Sequence, residues 1–377
     1  MYLFKEERDM TALFEQFSLK DVTLRNRIAV PPMCQYSAED GFTNQWHEAN
    51  YQSFARGGAG LVIVEATAVS PEGRITPNCL GIWKDEHVEG LKNIAERIKS
   101  QGAVAGIQIA HAGRKASANR PWEGDDHIQP TDEKGWQPIG PSAQAFGAHL
   151  PVTPTEMTKA DIERVKNDFV KGAQRALEAG FEWLELHFAH GYLAQSFFSK
   201  HANKRTDEYG GDAQGRGRFL LETLSAVRAV WPENLPLTVR FGVIEYDGDD
   251  EQTLNESIEL IKQFKEIGAD FVSVSVGFNI PDANIPWGPA FLAPIAKRVR
   301  DEADIPVATA WGVDTPELAN ETVENQQLDV VMVGRMHLTN PHWTYFAAKK
   351  LGVEKPSWVM PAPYAHWLER YAPSDER

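Results

Sequence analysis

Apolar, β-rich runs recur eight times along the 377 residues, and stretches with helical spacing separate them. The runs are Arg27–Pro31, Leu61–Ala66, Val104–Ala110, Trp183–His187, Leu237–Phe241, Phe271–Ser275, Pro306–Ala310 and Val330–Val333. Between them, Asp161–Leu177 carries Ile162, Val165, Phe169, Ala173 and Ala176 at intervals of three and four, with Thr158 or Asp161 as its cap. Gln252–Phe264 and Phe219–Val230 repeat the pattern, and Gly180 and Gly268 suit the position just past a helix end. Strand then helix, eight times, predicts an α/β protein built as a closed (β/α)8 barrel, because parallel strands need a crossover. A doubly wound open sheet is the runner-up, but no G-x-G-x-x-G follows any strand. Gly210–Arg216 has Walker-like glycine spacing with neither the Lys nor a preceding strand, and is read as chance.

One connection breaks the rhythm. His111–Met157, after the third strand, is rich in Pro, Gly, Trp and polar residues, and a loop of that length inside a barrel is usually functional. From that position it folds over the C-terminal mouth, where barrel enzymes keep their active sites. The opening Phe17–Leu24 alternates like a small hairpin and is expected to plug the opposite end. Residues 1–10 read as a leader or alternative start, with Met10 as the physiological one, and 11–377 as a single domain with 111–157 as a capping insertion.

Composition narrows the function. Lys plus Arg is 38 against 53 Asp plus Glu, a formal charge of −15 without a basic block, which argues against general nucleic-acid binding. No run reaches the roughly 20 apolar residues of a membrane span, and the first ten residues have no secretory core. Two cysteines, Cys34 and Cys79, are too few for a disulfide framework, an iron–sulfur cluster or a Cys-rich zinc site. A cytoplasmic protein is expected.

Unusual residues gather at the C-terminal ends of the strands. Pro31-Pro32-Met33-Cys34-Gln35-Tyr36 ends the first and Glu65-Ala66-Thr67 the second; Gln108 and His111 belong to the third, and His187-Phe188-Ala189-His190-Gly191-Tyr192 follows the fourth. Arg240 lies in the fifth, Ala310-Trp311-Gly312 ends the seventh and Gly334-Arg335 the eighth. His187, His190 and Tyr192 admit three readings. They are structural; or the histidines bind a metal, which needs a third and often a fourth ligand; or two imidazole N–H groups clamp a substrate oxygen beside a proton-donating Tyr192 hydroxyl. The neighbours favour the clamp, and His47-Glu48-Ala49-Asn50-Tyr51 does not form the HExxH metal pattern. Arg240 inside an apolar run is a costly charge to bury unpaired, which points to a role, and Gln108 repeats that argument more weakly. Cys34 and Cys79 taken alone are ordinary small buried side chains.

Together, PPMCQY at Pro31, HFAHGY at His187 and the following Leu193–Arg205, TDEYGG at Thr206 and VGR at Val333 resemble the Old Yellow Enzyme family of FMN-dependent ene-reductases. The resemblance runs from about Leu13 to the C-terminus and is nearest the bacterial subgroup with Cys on the first strand. It includes His111-Ala112-Gly113-Arg114-Lys115, Ala118–Gly124 and Pro361–Trp367.

The resemblance implies FMN across the barrel mouth. Pro32, Met33 and Cys34 would then line its ring system, Ala66 and Gln108 would meet the pyrimidine side, and Arg240 would lie where negative charge collects on reduction. Ala310, Trp311, Gly312, Gly334 and Arg335 complete the implied cofactor set, with Gly312, Gly334 and Arg335 at the phosphate. Tyr36, His187, His190, Tyr192 and Trp311 would face substrate, and Trp367 would reach the neighbouring site across a homodimer. The implied activity is NAD(P)H-dependent reduction of the C=C bond in α,β-unsaturated carbonyl or nitro compounds and other xenobiotics. It runs as a ping-pong cycle in which His187 and His190 hold the oxygen and Tyr192 supplies the proton. Electrophilic alkenes are the expected partners, with no nucleic acid, membrane or metal. The alternatives are a metal-dependent barrel hydrolase using His187 and His190 as ligands, and a non-catalytic flavin-binding protein.

Overall fold

The computed structural model describes residues 12–372, so the leader assigned to residues 1–10 lies outside the described residues. Eight parallel strands close into a barrel in chain order: β1 (Ile28–Val30), β2 (Leu61–Ala68), β3 (Val104–Ala110), β4 (Trp183–Phe188), β5 (Leu237–Ile244), β6 (Phe271–Val276), β7 (Val307–Thr309) and β8 (Val330–Met332). β8 pairs back onto β1. All eight expected runs are strands; Val104–Ala110 keeps both its ends, and others differ at theirs. Pro31 and Pro306 flank β1 and β7, which shorten to three residues, since proline offers no N–H to the ladder. β5 runs three residues beyond the apolar stretch, to Ile244.

The helices are α1 (Gln45–Arg56), α2 (Val88–Ser100), α3 (Lys159–Glu178), α4 (Leu193–Phe198), α5 (Ala213–Arg228), α6 (Asp250–Ile267), α7 (Ala293–Ala303) and α8 (Pro316–Glu324), followed by α9 (Arg335–Thr339), α10 (Trp343–Lys350) and α11 (Ala362–Leu368). α3 shows how local chemistry sets a boundary. The Thr158 hydroxyl accepts from the Asp161 N–H at 3.2 Å, and the Asp161 carboxylate accepts from the Thr158 N–H at 2.9 Å. Both candidate caps thus act together as a capping box, and Ile162, Val165, Phe169, Ala173 and Ala176 are all buried. α5 starts earlier than its apolar spacing suggested, because Asp212 caps it through the Gly215 N–H; the Walker-like run is the entry to this helix.

The barrel interior divides into two halves. At its N-terminal end Phe17, Val22 and Leu24 of an antiparallel hairpin (Phe17–Leu19 with Val22–Leu24) pack against Leu61, Ile63, Trp183, Phe271, Val330 and Met332. Trp183 and Phe271 meet edge to face at 5.4 Å, and Phe17 caps Phe271 at 6.1 Å. The hairpin therefore plugs this end, as its alternation suggested. Towards the strands' C-terminal ends the interior turns polar: Gln108 pairs in register with Glu185, His187 with Arg240, and Arg240 with Ser273. The fold buries charge at the end away from the plug.

Residues 111–157 fold over that polar end and are tied down by buried cations. Arg114 donates to the carbonyls of Asn279 (2.7 Å), Gln144 and Ala145 (both 3.2 Å). Arg205 donates to those of Pro141 (2.9 Å) and Met157 (2.6 Å). Among the described residues no helix is long and apolar enough to cross a membrane.

Candidate active site

The turn leaving β4 carries the sharpest of the sequence signals. His190 and Gly191 both adopt left-handed backbone, with φ +63° and +69°. At Gly191 an added Cβ would lie 2.4 Å from the Phe278 carbonyl oxygen, so only glycine lets the turn approach the loop after β6. Lys115 locks the two together, donating to the carbonyls of His190 (2.9 Å) and Phe278 (2.7 Å). The strained turn puts three rings side by side. His187 lies 4.9 Å from both His190 and Tyr192, centroid to centroid and nearly perpendicular to each.

Both histidines are neutral. Burial drives each imidazole well below its ordinary value, and the nearby Arg240 and Lys115 charges add to the effect. The Arg240 guanidinium makes the place unsuited to a metal ion, and among the described residues no three His, Cys, Asp or Glu side chains converge as ligands. The Ala189 N–H donates to His187 Nδ1 at 3.3 Å, which puts the ring's proton on Nε2. Burial raises the Tyr192 hydroxyl well above its ordinary value, so it keeps its proton. Two neutral N–H donors and one phenolic O–H are what an oxygen clamp with an adjoining acid requires.

Beneath the clamp, Gln108 Nε2 donates to Glu185 Oε1 at 2.7 Å, while Glu185 Oε2 and Arg240 Nε are buried without a hydrogen-bond partner. Burial raises the Glu185 carboxyl from 4.5 to about 7, and Arg240 opposes the shift. A carboxyl raised in the folded state contributes stability that is full below its unfolded value and is lost as pH climbs through the folded one. Glu185→Gln removes this titration. Relative to wild type it should therefore gain stability between pH 5 and 7, with a slope approaching about 1.4 kcal/mol per pH unit. Urea unfolding of both proteins in the same cofactor state at several pH values measures this, and parallel stability curves would refute it.

The expected rim residues lie on three neighbouring strands. Pro32–Ser37 after β1, Ala310–Gly312 after β7 and Gly334 before α9 are partly exposed, and Arg335 is exposed. Ala66 and Gln108 are buried on β2 and β3. Gly312 has φ +72°, and a Cβ there would lie 2.3 Å from the Gly288 carbonyl oxygen. The loop with Cys34 and Tyr36 is held by a buried carboxylate, Glu65, which the sequence marked only as a strand end without a role. Glu65 accepts from the Gln35 N–H and the Tyr51 hydroxyl, both at 2.8 Å. The β2–β3 ladder shifts register between Val64 and Thr67, around this residue. Burial raises the Cys34 thiol well above its ordinary value, while the Ala66 backbone and then the Tyr36 hydroxyl oppose this.

A cavity of about 460 Å³ opens above these groups. Tyr36, His190, Tyr192 and Trp311 line one side, and Lys115, Pro121 and Phe146 of the insertion another. Lys115, Glu65 and Glu185 thus join the predicted set, as does Ser275, whose Oγ lies 2.7 Å from His190 Nε2 and 3.0 Å from Trp311 Nε1. Glu185 carried a legible signal, a charge within WLELH, of the same kind that marked Arg240. Trp367 is not brought here. It is 75% exposed on α11, in an apolar groove with His342, Tyr345, Phe346 and Met360.

Comparison with known proteins places the chain. The family model of the NADH:flavin oxidoreductase / NADH oxidase family matches residues 12–354. An NADPH dehydrogenase of Geobacillus thermodenitrificans is 42% identical over 346 residues, 91% of this chain and 96% of that protein. Among solved structures, morphinone reductase aligns with a TM-score of 0.75 and 25% identity over 91% of this chain and 90% of its own. An old yellow enzyme homologue from Zymomonas mobilis aligns with a TM-score of 0.72 and 25% identity over 88% and 90%.

Proposed function

The chain belongs to the NADH:flavin oxidoreductase / NADH oxidase family, that of Old Yellow Enzyme, and we propose from this that it is an ene-reductase acting on α,β-unsaturated carbonyl and nitro compounds. It is a flavin enzyme that draws its electrons from NAD(P)H. The residues fit FMN. Arg240 is a buried guanidinium with Nε unpartnered, suited to a group that becomes more negative on reduction. Gln108 spends one amide N–H on Glu185 and keeps its carbonyl oxygen for a donor. Pro32, Met33, Cys34, Ala66 and the Ala310–Gly312 segment would hold the ring system, and Gly312, Gly334 and Arg335 the phosphate.

FMN, when bound, supplies the hydride it has taken from NAD(P)H. The chain supplies the rest. His187 and His190 hold the substrate's carbonyl or nitro oxygen and gain strength as negative charge builds there, so their effect falls on the transition state. Tyr192 donates its proton to the carbon next to that group. Tyr36 and Trp311 wall the cavity. A homodimer is part of the reading: the apolar groove on α10 and α11, with Phe346 and Trp367 exposed, suits a second subunit, and Trp367 would extend toward that subunit's site.

The observation that carries this reading is the pair of neutral imidazoles packed beside Tyr192, with His190 and Tyr192 lining one cavity. The test is a visible spectrum through anaerobic NADPH addition, followed by cyclohexenone. The flavin band should bleach and then return. Protein that takes up no FMN overturns the flavin assignment, and a band that bleaches but does not return with the enone overturns the substrate assignment.

A further inference from the structure

We propose that Ser275 is a positioning residue of the clamp: its hydroxyl fixes which nitrogen of His190 carries the proton and ties that ring to Trp311. The inference rests on the reading of His187 and His190 as an oxygen clamp. Ser275 is fully buried on β6, where the ladder to β5 shifts register immediately after it. Its Oγ lies 2.7 Å from His190 Nε2 and 3.0 Å from Trp311 Nε1. An indole N–H can only donate, so Oγ accepts from Trp311.

The remaining question is where the single serine proton goes. Among the described residues, His190 Nε2 is the one acceptor that Oγ meets. The proton therefore points at Nε2, and His190 carries its own on Nδ1. In the opposite arrangement Nε2–H donates to Oγ, and the serine proton is left buried with no acceptor, which costs free energy. Neutrality of His190 completes the argument, since a doubly protonated ring would donate from both nitrogens.

The consequence is a clamp that presents a different nitrogen from each ring. His187 offers Nε2–H because the Ala189 N–H occupies its Nδ1, and His190 offers Nδ1–H because Ser275 occupies its Nε2. Neither His187 Nε2 nor His190 Nδ1 has a hydrogen-bond partner among the described residues, and His190 lines the cavity. Trp311 lines the cavity too, and shares the same hydroxyl. One serine thus couples a substrate-facing wall to the donor state of the clamp.

The test uses the FMN holoenzyme with ¹⁵N-labelled histidine and two-bond ¹⁵N–¹H correlation spectra, alongside titration with 4-chlorophenol, whose phenolate oxygen imitates the charge the clamp would meet. Wild type should show His190 as the Nδ1–H tautomer. Ser275→Ala should admit the Nε2–H tautomer and raise the phenol dissociation constant about tenfold, the size of one charge-assisted hydrogen bond weakened rather than lost. Ser275→Thr, which keeps the hydroxyl, should retain both the tautomer and the affinity. Wild-type His190 found as Nε2–H overturns the inference, as does a Ser275→Ala protein with unchanged tautomer and unchanged affinity. A wild-type holoenzyme that does not bind the phenol at all overturns the clamp reading itself, which the tautomer spectra do not depend on.

Discussion

His187→Ala should lower the rate at which the prereduced enzyme turns over cyclohexenone by about 10²–10³, the usual effect of removing one preorganised donor to a developing oxyanion. FMN content should stay unchanged. The size follows from the setting. The ring is buried, neutral and fixed by the Ala189 N–H, so its Nε2–H is already aimed and needs no reorganisation when charge appears. His190→Ala should act in the same range, and the double variant should lose less than the product of the two, because both donors serve one oxygen. Stopped-flow single turnovers separate this step from NADPH oxidation. The rate should also show no limb from either histidine between pH 6 and 9, since both titrate well below their ordinary range. A His187→Ala enzyme that keeps wild-type turnover would show that the oxygen is held elsewhere.

Tyr192→Phe should leave reduction by NADPH and enone binding near normal, and slow the return of oxidised enzyme by about 10²-fold or more, the common contribution of a positioned general acid. Tyr192 precedes the first residue of α4, and burial keeps its hydroxyl protonated across the working pH range. A phenylalanine preserves the packing against His187 and removes only the hydroxyl that carries the proton. Loss confined to one half of the cycle distinguishes an acid from a packing residue. Equal slowing of both halves would deny Tyr192 this role.

The barrel was legible because each strand announces itself as a short apolar run and each helix by its three-and-four spacing. α3 is the plainest case, with its boundary written in Thr158 and Asp161. The His187, His190, Tyr192 set was legible because all three lie on one turn, where spacing fixes neighbours. The residues that escaped act across strands or segments. Ser275 sits in FVSVSV, indistinguishable from Ser273 two residues earlier, until β5 and β7 are placed on either side. Lys115 lies in an aperiodic insertion, and its bonds reach residues 75 and 163 positions away. Glu65 was seen as a strand end, but its work of holding the Gln35 backbone depends on a local shift in register. Sequence periodicity reports which face a side chain takes within its own element and carries no information about what faces it from the next.

The anchorage of residues 111–157 has a bearing on how such a protein can change. Arg114 and Lys115 grip carbonyl oxygens of Gln144, Ala145, His190, Phe278 and Asn279. A carbonyl is present whatever side chain the residue bears. The cover is thus fastened to the loops beneath it largely through groups that every residue carries, so Ile280 and Pro281, which shape the cavity, are free to vary without unfastening it, whereas Phe146 takes part in the fastening, with Lys115 Nζ 4.1 Å from its ring centre. At those positions substrate range can change without loss of structural integrity, which opens this part of the wall to natural drift and to directed evolution.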